Sequence, residues 1–160
     1  MYWIMRIVTV MALLPLLAAC KTSETSLNGS GWSNRSSMIS EDASPLKKAK
    51  INFANGQYGL AEKRYRKAVE NNPKTAEAWL GLAATYDRLK RFDTANQAYD
   101  VVVKLVGFTP TVLNNLGYHY YLRGDLRKAR KTWLAAQAKD PNNPFIKNNL
   151  ELLDKTPGGA

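Results

Sequence analysis

Few side chains in this sequence could do covalent or proton-transfer chemistry. Cys20 is the only cysteine and His119 the only histidine. A thiol becomes a working nucleophile when a nearby base takes its proton. The one imidazole open to Cys20 stands about a hundred residues along the chain. A single cysteine also excludes an intramolecular disulfide. His119 lies between Tyr118 and Tyr120 in a helical stretch, a setting that suits a structural or partly buried imidazole better than a general base. Glu77, Asp87, Asp93 and Asp100 fall at helical surface spacings and form no carboxylate pair. There is no Gly-rich phosphate loop, no His-Glu-x-x-His and no Gly-x-Ser-x-Gly. The chain therefore reads as a non-enzyme with no catalytic residue, metal site or bound cofactor. Its working part must be surface.

The residues before Cys20 explain the thiol. Arg6 supplies positive charge near the start, and Ile7 to Leu17 is apolar except for Thr9 and Pro15. That run is short of the roughly 20 residues a spanning helix needs, and it fits the core of a signal peptide. Met5 is a second workable start. The run ends Leu17-Ala18-Ala19-Cys20, which resembles the lipobox of bacterial lipoproteins. The resemblance implies cleavage of residues 1–19, lipidation of Cys20 with acyl chains such as palmitate, and no other cofactor. Two or three acyl chains hold a protein stably on a bilayer, where one binds only marginally. An ordinary secretory signal with a chance cysteine is the alternative. Lys21 follows the cysteine where Asp would signal retention. By analogy with Gram-negative lipoproteins, this implies the periplasmic side of the outer membrane.

Residues 20–43 then form a Ser-, Thr-, Asn- and Gly-rich linker with Trp32 and Met38 as isolated apolar residues. Such a segment buries too little apolar surface to offset its ordering entropy. Twenty residues of flexible coil reach roughly 25 Å, so the linker is a tether that lets a folded part stand off the bilayer.

The folded part is a repeated helix pair. Leu113, Leu116, Gly117 and Tyr120 share one helical face, Gly124-Asp125 breaks the helix, and Ala129, Trp133 and Ala136 make a second stripe that ends at Pro141. Thirty-four residues earlier stand Trp79, Leu82, Ala83 and Tyr86, then Ala95, Tyr99 and Val102. One step further back stand Ala61, Tyr65, Ala68 and Pro73. A fixed period of this length marks a helical solenoid. The pattern resembles the tetratricopeptide repeat. The fold class expected is all-α: about three helix pairs plus a C-terminal capping helix over residues 44–154, then a disordered tail, 155–160. The helices are expected near 44–55, 57–71, 75–89, 91–106, 109–122, 125–139 and 143–154. Pro45, Lys48 and Asn52 depart from the pattern, so the first helix reads as a modified N-terminal cap. In the last helix Phe145, Asn149 and Leu152 lie on one side, with Ile146, Leu150 and Leu153 adjacent, and together they cover the last repeat.

The chain carries 23 basic and 13 acidic residues. Only Arg6 is lost with the signal segment, which leaves about +9 and suggests an acidic partner. Lys63, Arg64, Arg66 and Lys67, with Arg127, Lys128, Arg130 and Lys131, fall on the second helices of their pairs. They read as a solvated convex face, with anionic lipid as the sharper alternative and nucleic acid set aside. Resemblance to tetratricopeptide arrays places Leu46, Lys50, Phe53 and Ala54 in a concave groove. It also places there Glu77, Leu80, Ala84, Asp87 and Arg88, and then Thr111, Asn114, Tyr118, Tyr121 and Leu122. Such a floor is apolar and aromatic, the makeup of a protein- or peptide-binding surface; Tyr118 and Tyr121 packing on the last helix is the competing reading. The Lys and Asn clamp some of these arrays use for C-terminal carboxylates is not expected, because Leu46, Leu80 and Gly81 stand in its places. By architecture the chain resembles the lipoproteins of Flp/Tad pilus assembly and the type IV pilotins. That resemblance implies a scaffold binding a secretin or pilus component, with homo-oligomers as an option. A binding cofactor of cell-wall enzymes and a general outer-membrane biogenesis factor are the alternatives.

Overall fold

The computed structural model describes residues 44–158. The expectations for residues 1–43, lipidation of Cys20 included, lie outside the described residues. Seven helices follow one another: α1 (Pro45–Ala54), α2 (Tyr58–Asn71), α3 (Ala76–Arg88), α4 (Phe92–Val106), α5 (Pro110–Leu122), α6 (Leu126–Lys139) and α7 (Pro144–Asp154). No strand occurs among the described residues, and none of their helices is long and apolar enough to cross a membrane.

Side-chain acceptors set the helix starts. Ser44 Oγ accepts the Lys47 N–H at 3.3 Å, Thr109 Oγ1 the Val112 N–H at 3.2 Å, and Asn143 Oδ1 the N–H groups of Phe145 and Ile146. Each of these caps precedes a proline, whose fixed φ suits the first helical position. Within each pair the turn needs one left-handed residue. Gly56 and Gly124 supply it at φ 72° and 80°, and Lys90 supplies it in the middle pair at φ 59°. An L-residue in that conformation costs about 1 kcal/mol.

The pairs α1–α2, α3–α4 and α5–α6 are the tightest units, and α2–α3, α4–α5 and α6–α7 join them. Odd-numbered helices also touch one another, whereas even-numbered ones do not. The odd helices therefore line the inside of the curve. Small residues permit the close crossings: Ala61, Ala83, Ala95 and Ala129 are fully buried. At Gly117 a Cβ would lie 2.4 Å from the Trp133 indole, and at Gly81 one would lie 2.3 Å from the Tyr65 ring. Gly81 is thus a packing position, beyond the clamp place assigned to it from sequence.

Three expectations need correction. The first helix is half of a full pair rather than a cap alone. Buried Asn52 replaces the usual aromatic there and satisfies its amide by donating to Gln57 Oε1 at 2.7 Å. In α7 the packed stripe is Ile146, Leu150 and Leu153, while Phe145 (69 % exposed) and Leu152 (39 %) face outward. Thr156 belongs to the folded end rather than to a frayed tail. Its hydroxyl bonds the Leu152 carbonyl at 2.8 Å and meets the Tyr121 hydroxyl at 3.3 Å.

Candidate functional site

The concave face divides into an open cleft and a closed end. The cleft, about 380 Å³, is bounded by Phe53 of α1, Tyr58 of α2, Ala84 and Arg88 of α3, and Asn115 and Tyr118 of α5, with Asp87 and Tyr99 beneath. Phe53 and Tyr58 meet edge to face at 5.4 Å. The Arg88 guanidinium lies 5.2 Å from the centre of the Tyr58 ring, a cation–π distance. Its Nε and Nη2 donate to Tyr58 Oη at 3.0 and 2.8 Å, and its Nη1 donates to Tyr118 Oη at 3.2 Å. These phenol contacts raise the already high pKa of Arg88, the Tyr58 hydrogen bond most of all. One exposed arginine thus ties residues from three different helix pairs.

Of the residues assigned to the groove from sequence, Phe53, Ala54, Ala84, Arg88 and Tyr118 meet here, with Asp87 beneath them. Leu46 and Leu80 stay half-exposed and pack onto the core. Lys50 pairs with Glu77 at 2.7 Å, bridging α1 and α3 at the surface, where such a pair contributes little. Asn114 is occupied: its Oδ1 accepts from Asn149 at 2.9 Å and its carbonyl from Trp133 Nε1 at 2.9 Å. Tyr121 stacks on Tyr118 at 6.0 Å and tilts onto Trp133 at 5.9 Å. Leu122 is half-buried. Tyr118 lines the cleft, and Tyr121 packs against Trp133 and the chain end at Thr156. Tyr58 was missed because it opens a second helix. Its signal was proximity, since a short Gly turn separates it from Phe53.

Asp87 departs furthest from its expected place. It is 3 % exposed rather than a surface carboxylate. His119 Nδ1–H donates to its Oδ1 at 2.5 Å, and the Tyr99 hydroxyl donates to its Oδ2 at 2.9 Å. The carboxylate only accepts, so Nδ1 carries the proton. Burial, then the Asp87 charge, pushes the Tyr99 phenol well above its ordinary range. His119 is fully buried among Phe92, Tyr99 and Tyr120, and its Nε2 has no partner among the described residues. With that nitrogen closed off from solvent, the Asp–His pair is a link between α3 and α5. Among the described residues no three metal-ligating side chains cluster.

A larger hollow, about 630 Å³, runs along α2 beside Glu62, Lys63, Arg66, Lys67 and Glu70. Side chains of one helix alone line it among the described residues, so it is a furrow of mixed charge. On α6, Arg130 pairs with Asp154 at 2.5 Å and Lys128 with Asp125 at 3.1 Å.

Family models described as tetratricopeptide repeat match residues 46–110 and 110–143. No curated protein sequence matches the chain. Among solved structures, the first TPR domain of human RPAP3 is similar at 23 % identity and TM-score 0.62, covering 69 % of this chain and 87 % of that one. The first TPR of Spaghetti (RPAP3) bound to an HSP90 peptide is similar at 23 % identity and TM-score 0.60, covering 69 % and 88 %. The second TPR domain of human RPAP3, in complex with an HSP70 peptide, is similar at 18 % identity and TM-score 0.60, covering 71 % and 94 %. At these identities the likeness is one of fold. The 34-residue register, the three helix pairs closed by α7 and the two family matches agree: from residue 46 to residue 143 this chain is an array of tetratricopeptide repeats.

Proposed function

We propose that the array is the binding part of a membrane-anchored periplasmic adaptor. Its cleft takes an extended or helical segment of a protein partner, while acyl chains on Cys20 hold the complex at the outer membrane. The observation that carries the binding reading is the cleft at Arg88, where three aromatic rings and one guanidinium surround open space on the concave side. Aromatic and arginine side chains in a concavity are the usual anchors of protein recognition. Two of the similar arrays are complexes with peptides, which supports a peptide as the type of partner. Anchor, tether and small helical array together favour a client in a pilus or secretion machine, a secretin segment first.

Crosslinking in native envelopes followed by mass spectrometry tests the reading. A Phe53→Ala/Tyr118→Ala protein should stay folded and lose its crosslinked partner. A folded double variant that keeps every partner removes the cleft from the account. Recovery of cell-wall synthases in place of a secretin or pilus subunit would overturn the choice of machine and leave the cleft standing. Cys20→Ser should move the protein out of the membrane fraction; persistence there would contradict the anchor.

A further inference from the structure

We infer that the cleft reads a carboxylate: the peptide it takes carries an acidic side chain that docks on Arg88 beside an apolar residue. This rests on the binding reading above and adds the chemistry of the ligand.

The sign follows from which charges the cleft presents. Two charged residues border it, and they are consecutive in sequence. Asp87 turns inward and is buried, with Oδ1 engaged by His119 and Oδ2 by Tyr99. Arg88 turns outward and is exposed. Glu77, at the opposite end of α3, does not border the cleft and pairs with Lys50. The charge left facing a ligand is therefore a single positive one.

Arg88 is also held ready. Guanidinium has five N–H donors in a fixed plane, and the contacts to Tyr58 and Tyr118 use three of them. Those acceptors are neutral phenols, so no anion compensates the charge among the described residues. Each phenol accepts from the guanidinium and keeps its own hydrogen to donate outward. One N–H on each Nη and two phenolic O–H groups are left to donate to a ligand, and a planar carboxylate accepts from paired donors of this kind. Phe53, Ala84 and the tyrosine rings supply apolar walls for the residue beside it. Lys or Arg on the ligand would meet the like charge of Arg88, while Asp87, the only carboxylate lining the cleft among the described residues, is engaged, so the same geometry disfavours basic segments. These groups differ from the Lys and Asn clamp places, which hold Leu46, Leu80 and Gly81.

The experiment is selection of a phage-displayed random peptide library on the full chain purified in detergent, run in parallel on Arg88→Gln and Phe53→Ala/Tyr118→Ala. Arg88 is exposed, and circular dichroism and melting confirm that each variant folds. Peptides enriched on the unaltered chain should carry Asp or Glu next to an apolar residue. Their Glu→Gln counterparts should bind about three- to tenfold more weakly, the range for a solvent-accessible charge-assisted contact. That difference should vanish on Arg88→Gln. Enriched peptides with no acidic excess, but dependent on Phe53 and Tyr118, overturn the carboxylate and keep the cleft. An acidic preference undiminished on Arg88→Gln overturns the assignment to Arg88. Equal competition by millimolar inorganic phosphate and by the acidic peptide overturns the peptide in favour of a general anion site. No enrichment on any form overturns both this inference and the binding reading.

Discussion

At one end of the concave face, Phe53, Tyr58 and Arg88 meet around empty space. At the other, Asn114, Tyr121 and Trp133 meet α7 and Thr156. The two ends use equivalent places in successive repeats. Leu80 and Asn114, Asp87 and Tyr121, and Arg88 and Leu122 are each 34 residues apart. Yet Arg88 faces solvent while Leu122 is half-buried, and Asp87 is buried in a joint while Tyr121 packs on the chain end. Place in a repeat sets which way a side chain leaves its helix; what the next element brings up decides whether it meets a neighbour or a ligand. The last pair and α7 give the array its closure, whereas the cleft at Arg88, lined from all three pairs, stays open.

The strongest way to break this division is Trp133→Ala. Trp133 is fully buried and bonded to the Asn114 carbonyl, so its loss should cost about 3–5 kcal/mol. Urea unfolding would show it, and a loss under 1 kcal/mol would mean that the closed end holds little of the fold. Next come the two packing glycines. Gly117→Leu, or even Gly117→Ala, drives a Cβ toward an indole fixed by its hydrogen bond and should cost about 1–3 kcal/mol or more. Gly81→Ala should cost somewhat less, because the buried Tyr65 ring it meets is not pinned by a hydrogen bond among the described residues as the Trp133 indole is. The reverse order in melting temperature would shift the tightest crossing to the N-terminal half.

Alkali should loosen the middle of the array. Burial, helped by Glu77, lifts the Tyr65 phenol from 10.0 to about 12, and burial, then the Asp87 charge, lifts Tyr99 well above its ordinary value. A phenol whose folded value is raised contributes stability that is fully present below the unfolded value and is lost as pH climbs toward the folded one. Melting temperature should therefore hold up to about pH 10 and fall between pH 10 and 12, with Tyr65→Phe flattening the fall. Smaller still, Lys90→Gly should stabilise by about 0.5–1 kcal/mol, since it relieves the one left-handed residue among the described residues that is not glycine. The smallest effect is reserved for the open end. Arg88→Ala should cost only about 0.5 kcal/mol, the loss of solvent-exposed contacts to Tyr58 and Tyr118, while changing what binds.

Most of the fold was legible because helix starts and crossings depend on local chemistry. Ser44, Thr109 and Asn143 announce helices by hydrogen bonds three residues long or less. Gly117 and the buried alanines recur at a fixed step because only small residues fit where helices cross. The candidate site was legible by helix face and no further. Asp87 reads as a surface residue, since carboxylates are rarely buried without a partner, and its partner His119 lies 32 positions away on another helix. Tyr58 entered the cleft through the turn that precedes it. Asn114 left the groove because α7 folds back to meet it with Asn149. Each of these depends on a long-range neighbour, and periodicity carries no record of such neighbours.

The link from Asp87 to His119 has a consequence for how the array comes apart. Stacked repeats unfold roughly as a one-dimensional series, each held by its own stability and its contact with the next. A charge-assisted bond buried at one joint makes that joint unlike the others. Helices α3, α4 and α5 should open as one unit, tied through Asp87, Tyr99 and His119, with α1 and α2 fraying ahead of them. Amide exchange would then rank the helices by their distance from one buried hydrogen bond.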